Sequence, residues 1–183
     1  MDKPASPLPV TFDVTQSADG LQRATLAALC LKLVLLLCLA FNTQFVMDEF
    51  WQLGKSKYHG AGFFDTVWPA KAVGYAVFYT PAHWLGWDAA STLLIGRLQT
   101  ALLAFGTLWL LFGIARHIGH DRLRALLVSL LAGSFSTFME RIFRTRSEPL
   151  ALFFATAALY WIVSRPTFNV RTALIAGCFC GLS

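Results

Sequence analysis

The chain has 183 residues, of which 56% are hydrophobic and only 14% are charged. A soluble domain of this size would have too little polar surface to cover its core, so the composition predicts a polytopic membrane protein. The net charge of +5 does not indicate nucleic-acid binding. The basic residues fall between apolar runs, where membrane topology and anionic headgroups require them.

Residues 1–20 carry Pro, Ser, Asp and Gly without apolar periodicity. They predict a disordered or surface-lying tail, cytoplasmic and extending to residue 23. The apolar run that follows, at about 24–46, is long enough at about 1.5 Å per residue to cross a hydrocarbon core of about 30 Å. Lys32 within it must snorkel or face neighbouring helices.

Residues 68–87 read WPAKAVGYAVFYTPAHWLGW, an apolar segment interrupted by Pro and Gly. Tryptophans bracket it, and tryptophan favours the headgroup zone. We therefore expect interfacial helices between residues 48 and 87, in the first outward loop, rather than a second span.

Four further apolar runs occupy about residues 92–114, 125–139, 149–163 and 172–183. The second and third are shorter than the roughly 17 to 25 residues of a usual span, so we expect the connection between them to dip below the membrane surface. The last is cut off at the chain end, which indicates the leading part of a longer protein. The expected fold class is all-α, a polytopic bundle of membrane helices.

Orientation follows from where the basic residues collect, because cytoplasmic loops carry an excess of Lys and Arg. Four connections agree if the cytoplasmic side holds Arg23, the group from Arg116 to Arg124, Arg165 and Arg171. The end of the first span then faces the periplasm or an organelle lumen. A second basic cluster also faces outward, against the rule, and this predicts an anionic partner for Arg141, Arg144 and Arg146.

Asp48 and Glu49 follow the first apolar run directly. A carboxylate at a membrane interface can act as a general base toward an acceptor hydroxyl or amine, and Asp48 is the first candidate. Glu49 is either a second catalytic acid or the partner of a nearby base. Two other interpretations are a solvated helix end, with acids at the unfavourable end of the dipole, and a divalent-cation site that includes Asp65.

The stretch MERIFRTRSEP, residues 139–149, carries the three outward arginines. In a tight connection they can converge on one phosphate group through bidentate hydrogen bonds, or they can anchor headgroups. Ser147 is the expected N-cap of the next helix, with Pro149 in its first turn. Glu148 is then favourably placed against the helix dipole.

Three isolated residues are weaker candidates. Lys71 can hold a lipid phosphate or simply touch headgroups. Arg97 can reach the same region or pair with Asp88. His83 is either an unremarkable interfacial histidine or a catalytic one. The sequence has no Gly-rich phosphate loop and no His or Cys cluster with metal-ligand spacing, so no metal site is assigned. The four cysteines lie within apolar runs, as packing residues do.

Three segments in this order resemble the GT-C superfamily of glycosyltransferases: VMDEFWQLG, WPAKAVGYAVFY and RTRSEPLALFF. The resemblance implies transfer of a sugar from a polyprenyl- or dolichyl-phosphate donor to a glycan, lipid or protein acceptor, with no required cofactor. It also implies a multi-pass protein, in a bacterial inner membrane rather than the endoplasmic reticulum. By the same resemblance Asp48 would be the catalytic carboxylate, and the donor phosphate would contact Lys71, Arg141, Arg144 and Arg146.

Two other functions use the same residues differently. A transporter or flippase of lipid-linked anions would use the arginines for binding without breaking a bond. A non-catalytic membrane subunit would use them only as anchors. Polar groups that gather at one surface favour the enzyme, because transporters usually place them at mid-membrane on broken helices.

Overall fold

The computed structural model describes residues 14–44, 46–57, 73–142, 144–165, 167 and 169–182, and the regular elements in these ranges are all helices. The all-α prediction is confirmed for this part of the chain. In chain order the helices are α1 (Val14–Asn42), α2 (Met47–Ser56), α3 (Val73–Leu85), α4 (Ala89–His117), α5 (Arg122–Ala132), α6 (Ser136–Arg141), α7 (Ser147–Val163) and α8 (Val170–Leu182).

Two of these helices are long and apolar enough to cross a membrane. They are the 24 residues Asp19–Asn42 of α1 and the 29 residues of α4. Many apolar side chains of α1 point outward, Leu31 at 71% exposed among them, while Leu36 and Ala40 are buried against the rest of the protein. An outward apolar face is what a lipid environment stabilises, because lipid chains replace water around it. Helices α7 and α8 are apolar but shorter, with 17 and 13 residues.

Helix α4 is central, since it contacts α1, α2, α3, α5 and α7. Two successive contacts show that it runs parallel to α7: Gly106 lies against Phe153, and Gly113 lies against Tyr160. Helices α5 and α6 return the chain from the C-terminus of α4 to the N-terminus of α7. Helix α8 then returns antiparallel along α7, where the Phe154 and Phe179 rings stack 6.2 Å apart.

This arrangement gives the protein two ends. One end, here the Asp48 end, holds the C-terminus of α1 and the N-termini of α2, α4 and α7. The opposite end, here the Arg116 end, holds the C-termini of α4 and α7, where the His117 and Tyr160 rings meet edge to face at 5.6 Å.

The first helix differs from its predicted bounds at both ends. It begins at Val14, within the segment expected to be a disordered or surface-lying tail, so residues 14–20 are helical rather than disordered, while residues 1–13 lie outside the described part of the chain. Adding turns to a formed helix costs far less than starting one, so helix extends backward from the apolar run. It ends at Asn42 rather than at residue 46. At this end Arg97 donates hydrogen bonds to the carbonyl groups of Ala40 and Thr43.

The predicted third apolar helix, residues 125–139, is two helices rather than one. Gly133 caps α5, and α6 begins at Ser136. The Ser134 hydroxyl donates a hydrogen bond to Leu130 O at 2.6 Å, and the Lys32 ammonium donates one to the same hydroxyl. Lys32 therefore faces a neighbouring helix instead of snorkelling. Its charge lies near the negative C-terminal end of α5, which is favourable.

Smaller boundary shifts have local causes. Helix α4 begins at Ala89 because Asp88 and Ser91 form a reciprocal capping box. The N-cap of α7 is Arg146 rather than Ser147, and Pro149 lies in the first turn, where a missing N–H is harmless. Helix α8 begins at Val170, after Asn169. The expected interfacial region contains α2 and α3, and residues 58–72 between them lie outside the described residues.

The close packing of α4 on α7 yields a first prediction. A Cβ atom at Gly106 would lie 2.7 Å from the Phe153 ring, so Gly106→Leu should lower the free energy of unfolding by about 1–3 kcal/mol through overpacking. Gly177→Leu in α8 is the control, because no atom lies within 4 Å of a Cβ at that position. Thermal unfolding in detergent, followed by tryptophan fluorescence, checks both. Equal stability of the two variants would contradict the α4–α7 contact.

Candidate functional site

A fully buried ion pair joins Glu49 of α2 to Arg97 of α4. Both side chains are 0% exposed, and Arg97 Nη2 lies 2.6 Å from Glu49 Oε2. The Arg97 Nε group donates a second hydrogen bond to Oε1 at 3.1 Å, so the contact is bidentate. Removing two charges from water is costly, and such a pair is tolerated only when further hydrogen bonds satisfy the remaining donors and acceptors.

Arg97 satisfies its other donors with the end of α1. Its Nη1 group donates to Ala40 O at 2.9 Å and Thr43 O at 2.8 Å, and Nη2 donates to Gln44 O at 3.1 Å. The last carbonyl groups of a helix have no partner inside the helix and carry its negative dipole end. All five N–H donors of the guanidinium group are therefore used: three fix the C-terminal end of α1 against α4, and two bind Glu49.

Glu49 in turn accepts hydrogen bonds from two backbone N–H groups, one nearby and one distant along the chain. The Val46 N–H donates to Oε2 at 3.3 Å, and the Thr145 N–H donates to Oε1 at 3.2 Å. Glu49 thus ties the α1–α2 turn to the arginine connection, the segment 142–146 between α6 and α7. Its burial makes it unavailable to a substrate, so Glu49 is the partner of a base and not a second surface acid.

Because Arg97 binds Glu49, the alternative pairing of Arg97 with Asp88 is not found. Asp88 instead accepts a hydrogen bond from the Ser91 backbone N–H at 2.6 Å, as the N-cap of α4. These hydrogen bonds hold the pKa of the Asp88 carboxyl below its usual value.

Two buried tyrosines of α3 hold the arginine connection from the other side. The Tyr75 hydroxyl donates to Thr145 O at 3.2 Å, and the Tyr79 hydroxyl lies 3.5 Å from Arg146 O and 2.7 Å from Thr100 Oγ1. Burial raises the pKa of both phenols well above the usual value, and nearby carboxylates add to the shift. Both phenols therefore stay protonated and available as donors. Sequence reasoning missed them, although tyrosines four residues apart in an apolar helix were a visible signal.

Asp48 lies at the surface beside this buried network. Its Oδ2 atom is 3.2 Å from Arg146 Nη2, with side chains 41% and 22% exposed. The contact places the acid after α1 and the arginine before α7 at the same end of the protein, as the sequence predicted. Asp48 is also in the first turn of α2, the favourable end of the dipole for an acid, and not at the unfavourable end of α1.

Two arginines converge on one carboxylate oxygen next to Asp48. Glu148 Oε1 lies 3.5 Å from Arg141 Nη1 and 4.0 Å from Arg146 Nη1. Arg144 is half-buried in the same connection. A guanidinium group from the end of α6 and another from the arginine connection therefore both reach a single carboxylate oxygen of Glu148.

The arginine connection is recessed relative to the start of α4. A Cβ atom at Gly96 would lie 2.7 Å from Thr145 Cγ2, so only glycine allows this approach. Gly96 is about two turns, roughly 10 Å, from the first residue of α4. The connection therefore lies below the N-terminus of α4.

The remaining candidates are not part of this contact set. His83 Nε2 lies 2.9 Å from Leu53 O and joins α3 to α2. Lys71 and Asp65 lie outside the described residues. Among the residues that the structure does describe, no group of three or more His, Cys, Asp or Glu side chains could hold a metal ion.

Comparison of the chain with protein-family models, with curated proteins and with solved structures gives no match. Function is therefore inferred from the chemistry of the site.

The buried pair yields a second prediction. Glu49→Gln leaves the Arg97 charge buried without its counter-ion and should lower the free energy of unfolding by about 3–5 kcal/mol. The control is Asp121→Asn, which breaks the exposed pair with Arg124 and should cost less than about 1 kcal/mol. Denaturant titration in detergent micelles measures both.

A double variant, Glu49→Leu with Arg97→Met, separates charge burial from general packing. It should recover part of the loss, because no unpaired charge remains buried. If Glu49→Gln were as mild as Asp121→Asn, the pair would not be the interaction that holds this end together.

Proposed function

We propose that the protein is an integral membrane glycosyltransferase that moves a sugar from a polyprenyl-phosphate donor to an acceptor hydroxyl or amine. In this proposal the Asp48 end faces the non-cytosolic side of a bacterial inner membrane. The observation that supports it best is the 3.2 Å contact between Asp48 and Arg146. It brings a surface carboxylate and a cationic cluster together on a chain with two membrane-length apolar helices.

The proposed reaction is a single displacement at the anomeric carbon of the sugar. Asp48 removes a proton from the acceptor, whose oxygen or nitrogen forms a bond to the anomeric carbon. The bond from that carbon to the phosphate oxygen breaks, and the lipid phosphate leaves with the electron pair. Guanidinium groups stabilise the negative charge that grows on the departing phosphate.

The orientation of Arg146 gives the base and the phosphate separate positions. Its Nη2 atom faces Asp48, and its Nη1 atom faces the Glu148 oxygen that Arg141 also approaches. A phosphate in place of that carboxylate would be separated from the base by the width of one guanidinium group. A displacement needs this separation, because the sugar ring lies between the entering and leaving groups. Arg144 and Lys71 are assigned to the same phosphate.

The buried network supports this chemistry by fixing the backbone that carries Arg146. Glu49 binds the Thr145 N–H, while Tyr75 and Tyr79 bind the Thr145 and Arg146 carbonyl groups. Electrostatic stabilisation of a transition state depends on donors that need no reorganisation during the reaction. Rigid support of the arginine connection meets that requirement.

A flippase of lipid-linked anions is a second candidate, favoured by one observation. The break between α5 and α6 lies beside Lys32, and broken helices with charged groups inside the membrane are typical of transporters. Reconstituted vesicles distinguish the two functions. Translocation of the lipid-linked sugar without transfer would favour the flippase.

The proposal predicts that Asp48→Asn reduces sugar transfer on the order of 10²-fold or more, because the general base is lost. Arg141→Gln should also lower transfer, through weaker stabilisation of the phosphate charge. Arg116→Gln, at the opposite end of the protein, should leave transfer unchanged. The assay uses purified protein in vesicles with radiolabelled polyprenyl-phosphate sugars. Wild-type turnover in a folded Asp48→Asn variant would refute the role of this carboxylate.

A further inference from the structure

An apolar groove of about 310 Å³ lies between α1, α4 and α5, away from the Asp48 end. Helices α1 and α4 contribute aliphatic and aromatic side chains to its walls, and α5 contributes one cation. Its lining includes Leu29, Leu33, Phe105, Trp109, Leu126 and Arg122. The groove is open on its outer side, where Trp109 is 66% exposed.

The two ends of the groove differ, because only one of them carries a charged side chain. Along α5 the lining residues are Arg122, Leu126 and Ser129, which share one helical face over about 10 Å. Arg122 is the first residue of α5 and belongs to the Arg116 end. Leu26 and Phe112 line the groove near that same end. The groove is therefore an apolar slot about two turns long with a guanidinium group at one end.

The charge around that end decides which occupant fits. Five further arginines belong to it by their positions on the helices, Arg23, Arg116, Arg124, Arg165 and Arg171. In the described part of the chain, two acids share this end: Asp121 is paired with Arg124 at 3.5 Å, and Asp19 lies on α1 four residues before Arg23, so the cations still outnumber the acids. An apolar chain that ends in a negative group is complementary to such a slot, because each basic residue near a bilayer surface favours anionic lipid.

We infer that this groove binds one anionic phospholipid, with its phosphate at Arg122 and one acyl chain against α1 and α4. This site is separate from the Asp48 site and does not depend on sugar transfer. It requires only that α1 and α4 cross the bilayer, with the Arg116 end at the surface that holds the headgroup.

Two native cysteines make the test direct. Cys30 lines the groove, and Cys38 lies on the same helix about two turns closer to the Asp48 end, outside the groove lining. Both are free and exposed. Alkylation by N-ethylmaleimide, read at each cysteine by peptide mass spectrometry, therefore reports occupancy of the groove with a control in the same molecule.

The protein is purified in an uncharged detergent and supplied with phosphatidylglycerol or with phosphatidylcholine of identical acyl chains. We expect phosphatidylglycerol to slow alkylation of Cys30 relative to Cys38, and to do so at lower concentration than phosphatidylcholine. Arg122→Gln should raise the phosphatidylglycerol concentration for half-protection about fivefold, the effect of one basic residue near an anionic headgroup.

Arg124→Gln is the matched control, two residues away on α5, paired with Asp121 and absent from the groove lining. It should raise the half-protection concentration clearly less than Arg122→Gln does, because it only lowers the general positive charge of this end. Equal protection by the two lipids, or an unchanged value in Arg122→Gln, would overturn the site. So would protection that rises with protein concentration in the absence of lipid, since a second copy of the chain would then occupy the groove. Unfolding temperatures of the variants establish that each is folded.

Discussion

The ion pair between Glu49 and Arg97 is the interaction on which the Asp48 end depends. It is wholly buried, and its hydrogen bonds reach the end of α1, the α1–α2 turn and the arginine connection. A buried pair gives little net stability compared with apolar residues, but loss of one partner is severe because the other charge stays buried. The pair therefore mainly fixes the relative positions of α1, α2, α4 and the arginine connection. Few other arrangements of these elements would satisfy so many of its donors and acceptors.

Two neighbouring acids have opposite environments as a result. Glu49 points inward and is saturated by hydrogen bonds, whereas Asp48 points outward toward Arg146 and is 41% exposed. Adjacent helical residues point in different directions, so a single turn of α2 can hold one acid in the interior and present the other at the surface. In the proposed enzyme the buried acid positions the arginine connection, and the exposed acid meets the acceptor. In this proposal Glu49 has a structural role, and its neighbour Asp48 has the chemical one.

The sequence predicted the features that depend on local composition. The apolar runs predicted the helical class and approximate places of α1, α4, α7 and α8, and the charge pattern placed Asp48 with Arg146 at one end. It did not predict the break at residues 133–135, because the apolar residues continue past it to Met139. Gly133, which caps α5, was the local signal, and the Lys32 contact at Ser134 comes from 102 residues away along the chain. It left Arg97 either near the donor site or paired with Asp88, and Glu49 as a catalytic acid or the partner of an unnamed base, since their pairing with each other depends on how α2 packs against α4. The roles of Tyr75 and Tyr79 were missed for the same reason: their partners lie about 70 residues away along the chain.

Asp48 and the arginine connection lie at one end of the protein, opposite to Arg116, and we propose that the two ends lie on opposite sides of a membrane. Single cysteines at positions 48, 148 and 120, in a protein whose native cysteines are replaced by alanine, test it with a membrane-impermeant maleimide. In sealed vesicles of known orientation, Asp48→Cys and Glu148→Cys should react from the non-cytosolic side, and His120→Cys only from the cytosolic side. Reaction of positions 48 and 148 from opposite sides, or of 48 and 120 from the same side, would rule out this topology.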